Sequence, residues 1–156
     1  MRKEDVPSNL SNLAFDFFYW FSRFEFALKE NGYLKSHVPG VKAEPGWQDF
    51  VDRWATQYKI STEAAHLLSS PPERQVVGAG DNLDWKPVGL TDCKSDLAKV
   101  VRLIATVRNN LFHGGKHSAA GWDDPERTKK LLIDSKEVLV HLAQLASIEA
   151  DYTRHY

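Results

Sequence analysis

Residues 10–28 read LSNLAFDFFYWFSRFEFAL, the most apolar window of the chain. Within it Leu10, Ala14, Phe17, Phe21, Phe24 and Leu28 recur at alternating four- and three-residue steps, the spacing that lines up side chains on one face of an α-helix. Ser8 or Asn9 can cap its start, and Gly32, following Asn31, can take the left-handed conformation that stops it. Phe15, Phe18, Tyr19, Trp20 and Phe26 fall off the stripe. A helix apolar on nearly every side is either buried on several sides or in contact with another subunit. Asp16, Arg23 and Glu25 interrupt the window, which argues against a membrane span.

Helical spacing continues downstream. After Pro45 and Gly46, the positions Trp47, Phe50, Val51, Trp54 and Tyr58 mark a second helix. A short continuation over 61–68, capped by Ser61 or Thr62, is closed by Pro71 and Pro72, because proline cannot continue a helix and restricts the residue before it. Residues 71–90 hold Gly78, Gly80, Asp81, Asn82 and Pro87 and are expected to form a loop. The VVGAGD within it lacks the strand-glycine-helix context of a nucleotide-binding fingerprint. A long amphipathic helix is expected from Thr91 through Leu97, Val100, Ile104, Val107 and Leu111 to Gly114 and Gly115. A last helix should begin around Asp124 and Pro125 and run for about seven turns through Leu132, Val138, Leu139, Leu142 and Ile148. The architecture expected is all-α, an antiparallel bundle of four to five helices forming one domain over 1–156.

A chain of 156 residues is an ordinary length for one domain, and 42% hydrophobic with 26% charged residues is the composition of a globular protein. The opening MRKEDVPSNL has acids and a proline where a signal peptide would have an apolar stretch, so a cytoplasmic location without a membrane is expected. Cys93, the single cysteine, excludes an intramolecular disulfide. The formal net charge of -1 supplies no global field for nucleic acid, so any RNA contact has to be local. Lys94, Lys99, Arg102, Arg108, Lys116 and His117 around the central helix and Arg127, Lys129 and Lys130 on the last one are the candidates, although most lysines on helices simply solvate a face.

Arg108 and His113 stand five apart at the carboxyl end of the central helix, with Asn109 after the arginine and two glycines after the histidine. Glycines there let the chain turn away and leave the imidazole open. From the residues alone, two cations answering the negative end of a helix are the favoured explanation of the pair. His37, His66, His141 and His155 show no ligand spacing, and no metal or cofactor is expected.

Residues 107–116, VRNNLFHGGK, resemble the signature of HEPN domains, in which an arginine, a polar residue, three more residues and a histidine end a helix. Residues 21–33, FSRFEFALKENGY, resemble the aromatic, acid-bearing first helix of stand-alone HEPN proteins carried by bacterial plasmids and defence loci. Residues 40–90 are not diagnostic. The resemblance implies a homodimer in which two Arg-x4-His segments line a composite cleft and cut RNA without metal, as a toxin or in antiviral defence, under an antitoxin or other regulatory partner. It further implies that His113 moves the proton, Arg108 holds the phosphate and Asn109 orients the arginine or holds the substrate phosphate, while Asn110 within the motif and Lys116 and His117 just after it are the candidates for substrate contact. Glu25 would pair with Arg108 by the same analogy, whereas Arg23 or Lys29 is the plainer partner within its own helix. Some HEPN proteins are non-catalytic nucleotide- or protein-binding modules, which is the competing expectation.

Overall fold

The computed structural model describes residues 7–112 and 124–154. His113, Gly114, Gly115, Lys116, His117 and His155 therefore lie outside the described residues. The chain is mostly helical: α1 (Ser8–Glu30), α2 (Trp47–Trp54), α3 (Thr62–Ser69), α4 (Asp96–Phe112), α5 (Pro125–Ala146) and α6 (Glu149–Thr153), with strands β1 (Glu73–Val77) and β2 (Leu83–Pro87) between α3 and α4.

Local chemistry sets most of these boundaries. The first helix begins directly after Pro7 with no side-chain cap, so neither Ser8 nor Asn9 caps it as expected; Asn9 lies within the first turn and accepts from the Leu10 amide at 2.9 Å. Gly32 closes that helix with φ +78°, its amide donating to the Lys29 carbonyl at 3.1 Å and that of Tyr33 to the Leu28 carbonyl at 2.9 Å, the paired reverse bonds of a Schellman stop. Ser61 and Asp124 cap α3 and α5, accepting from the amides of Ala64 and Arg127 at 3.2 and 2.9 Å. The fourth helix starts at Asp96 instead of Thr91, because Ser95 accepts from the Ala98 amide at 3.1 Å and so caps it there.

Two features depart from the expected all-α bundle of four to five helices. Residues 71–90, expected to be a loop, hold an antiparallel hairpin whose register runs from Glu73 opposite Pro87 to Val77 opposite Leu83. Gly80 and Asp81 both have positive φ, 63° and 60°, the backbone twist that suits a tight hairpin turn. The long last helix is also broken: Ser147 takes φ 55° and its amide and that of Ile148 bond back to Gln144 and Ala143, so α6 folds back as a separate turn. Six helices result among the described residues.

The core is built on α1. Phe17, Phe21, Phe24 and Leu28 are buried, together with Phe50 of α2, Leu67 of α3, Leu97, Leu103 and Ile104 of α4 and Leu132, Leu139 and Leu142 of α5. Phe24 stacks on Trp47 at 5.1 Å and meets Phe50 and Tyr152 edge-on at 5.7 and 5.9 Å. The off-stripe aromatics divide. Trp20 packs on Tyr152 of α6 at 5.0 Å, whereas Phe15, Phe18 and Tyr19 remain 69%, 37% and 43% exposed. Asp16 ties the helix to α5, accepting from the Trp20 indole at 3.1 Å and from Lys136 at 2.8 Å.

Because Phe24 packs on three rings from two other helices, α2 and α6, Phe24→Ala should cost about 3–5 kcal/mol, measured as a drop in the denaturant midpoint at unchanged slope. A loss below about 1 kcal/mol would mean that the site collapses and that the ring does not join α1 to α2 and α6.

Candidate functional site

Arg108 and Asn109 occupy the last turn and a half of α4. Asn109 is exposed and its Oδ1 accepts from Arg108 Nη1 at 3.1 Å, so the amide steers the guanidinium. On its other side the half-buried Arg108 lies over the Phe21 ring, 5.8 Å from Cζ to the centroid, a cation–π contact strengthened by partial desolvation. Phe21 in turn meets Trp47 at 5.5 Å.

Trp47 leads to Glu25. The half-buried carboxylate accepts from Trp47 Nε1 at 3.0 Å, which supplies the partner that an acid in an aromatic helix needs. Arg23, the plainer partner within α1, is turned elsewhere: its guanidinium donates to the backbone carbonyls of Asp151, Tyr152 and Arg154 at the end of α6. Glu25, Trp47, Phe21 and Arg108 thus form one continuous set of contacts running from α1 through α2 to α4. The acid and the arginine singled out in the sequence belong to one neighbourhood, with two aromatic rings between them.

Asn110 faces the hairpin. Its Nδ2 donates to the Glu73 carbonyl at 2.7 Å, which anchors β1 on α4. The cavity beside it, lined by Pro72, Trp85, Val107, Asn110 and Leu131, has a volume of about 40 Å³, room for roughly three waters and too small for a nucleobase.

The other cations proposed for RNA are largely engaged. Lys99 pairs with Asp96 at 2.8 Å, Lys129 with Glu126 at 3.0 Å, and Lys130 with the buried Asp134 at 3.3 Å. Arg127 donates to the Pro71 carbonyl at 3.0 Å. Arg102 grips Asp92 through both nitrogens, and that hydrogen bonding holds the Asp92 carboxyl down at about 2. Lys130 also touches His66 at 3.0 Å, whose ring lies 3.6 Å from Asp134. Burial, with a smaller contribution from Asp96, pushes the Tyr58 hydroxyl up to about 12, which keeps it neutral. Among the described residues no group of three or more His, Cys, Asp or Glu is placed to hold a metal ion, and no helix is long and apolar enough to cross a membrane.

Sequence reading missed Trp47 and Phe21 as site residues, having used both only as core positions. The available signal was chemical: a buried indole N–H needs an acceptor, and Glu25 was an acid in want of a donor. No family model, curated protein sequence or solved structure matches this chain.

If the indole N–H and the carboxylate pair, the Trp47→Phe and Glu25→Ala substitutions should show a coupling of about 1 kcal/mol in a double-mutant cycle of unfolding free energies. Additive losses would show that the two groups are stabilised separately.

Proposed function

We propose that this chain is a metal-independent endoribonuclease of HEPN type, a helical bundle carrying a hairpin between α3 and α4. The observation that carries the reading is the seating of Arg108 at the end of α4, steered by Asn109 and held over Phe21, five residues ahead of His113. A guanidinium fixed on two sides has lost much of the rotamer freedom that phosphate binding would otherwise cost.

In this reading His113 accepts the proton of the ribose 2′-hydroxyl as its oxygen attacks the adjacent phosphorus. The bond to the 5′-oxygen breaks, and that oxygen leaves with a proton delivered by the second histidine of a dimer. The products are a 2′,3′-cyclic phosphate and a 5′-hydroxyl end. An imidazole titrates close to neutral pH and suits either role. Arg108 offsets the charge that accumulates on the phosphoryl oxygens, a role in which its planar fork outperforms lysine. Glu25, held by Trp47, adds negative charge to the same neighbourhood and helps fix the lie of the arginine through the intervening rings. Lys116 and His117 follow His113 closely in sequence and are assigned to substrate contact. The requirement for a 2′-hydroxyl makes RNA the substrate. The apolar, exposed Phe15, Phe18 and Tyr19 suit a subunit contact, and a cytoplasmic toxin or defence nuclease under a regulatory partner is the biological setting proposed.

Incubation of labelled RNA with the purified chain in excess chelator tests this. Wild type should cleave, and both His113→Ala and Arg108→Ala should lose at least about a hundredfold in rate, with Arg108→Lys recovering little. A folded, dimeric wild type that leaves varied RNAs intact would instead favour a binding module, and unchanged cleavage by His113→Ala would remove the histidine from the mechanism.

A further inference from the structure

The hairpin places two cations side by side on a surface that no residue pattern marked. In its register Arg74 stands directly opposite Lys86, with Val76 opposite Asp84 as the next pair and Gln75 opposite Trp85 between them. Directly opposed residues of an antiparallel pair point to the same face, and successive pairs alternate faces. Glu73 and Trp85 line the small cavity against α4 and α5, so the face holding Arg74 and Lys86 is turned outward. Both residues are exposed.

Like charges directly opposite one another destabilise a two-stranded sheet, and this pair is not neutralised locally. Among the described residues neither cation is within ion-pair distance of a carboxylate, whereas Lys99, Arg102, Lys129, Lys130 and Lys136 all are. Two acids lie near. Asp84, on the same face, already accepts from the Trp85 amide at 2.8 Å. Asp92 is gripped by Arg102, with Arg74 close enough to add a weaker field.

The position of this pair is fixed relative to the site. Asn110 and Arg127 bind the Glu73 and Pro71 carbonyls on one side of the hairpin, and Arg102 binds the Gly89 carbonyl at 2.8 Å on the other. Asn110 is two residues beyond Arg108 on α4, about 200° around the helix, so the hairpin is anchored on the side of that helix end opposite Arg108, across roughly one helix diameter, ~10 Å.

We propose that Arg74 and Lys86 form an anion clamp for the phosphate backbone of single-stranded RNA, holding the strand beyond the phosphate that Arg108 engages. This rests on the ribonuclease reading for the identity of the polyanion. The clamp contacts no bases, so it adds affinity and register without sequence preference.

Binding of a fluorescent single-stranded 2′-O-methyl RNA to the full chain tests the clamp apart from cleavage, because that probe lacks the attacking hydroxyl. Affinity is measured against salt for wild type, Arg74→Gln with Lys86→Gln, and Asp84→Asn. Each lost phosphate contact on a single strand reduces the logarithmic salt slope by roughly 0.7. The double variant should lose about 1.4 in slope and about tenfold or more in affinity at 0.1 M salt with a melting temperature no lower than that of wild type, because the opposed cations no longer repel, while Asp84→Asn binds more tightly. An unchanged slope in the double variant, or no binding by wild type, overturns the clamp. Chelator-resistant cleavage with an unchanged slope would sink the clamp alone. Loss of slope in a chain that never cleaves RNA would keep the clamp and sink the nuclease.

Discussion

The packing of Phe24 against Trp47, Phe50 and Tyr152 is the contact on which the rest of the molecule depends. Apolar area buried by large rings supplies most of what a small domain has against chain entropy. Here those rings come from α1, from α2 that follows it, and from α6 far along the chain. Once α2 is pressed onto α1, the indole of Trp47 donates to Glu25 and its ring lies tilted against that of Phe21. The core thereby dictates where the arginine of α4 finds an aromatic face.

That dependence links folding to the proposed chemistry. A guanidinium at a free helix end samples many rotamers, whereas Arg108 is limited by an amide on one side and a ring on the other. Neither restraint is strong, each being of the order of 1 kcal/mol. Together they favour one region for the charge without burying it, which keeps it available to a phosphate. The hairpin and its flanking residues are tied to α4 by the side chains of Asn110 and Arg102 and to α5 by that of Arg127.

What the sequence revealed follows the range of the interactions. The stop of α1 at Gly32, the caps at Ser61 and Asp124 and the Arg108–Asn109 contact lie within a few residues of one another, and all could be read from the chain. The break at Ser147 could not, because a left-handed serine carries no mark that a glycine would. The hairpin was hidden because polar Glu73, Arg74 and Gln75 open its first strand and Pro87 ends its second, diluting the β-branched signal of Val76 and Val77. The bond between Trp47 and Glu25 spans 22 positions and arises only when two helices pack. The half of the site that includes His113 lies outside the described residues, so its roles are carried by the sequence alone.

The most direct test of the central claim is the chemical identity of the ends left on a short RNA by the chain in chelator, read by phosphorus NMR. A 2′,3′-cyclic phosphate opposite a 5′-hydroxyl, with no product from the matching DNA, is the result expected of Arg108 and His113 acting on the ribose hydroxyl. A 5′-phosphate with a 3′-hydroxyl, or cleavage of DNA as readily as RNA, would contradict it.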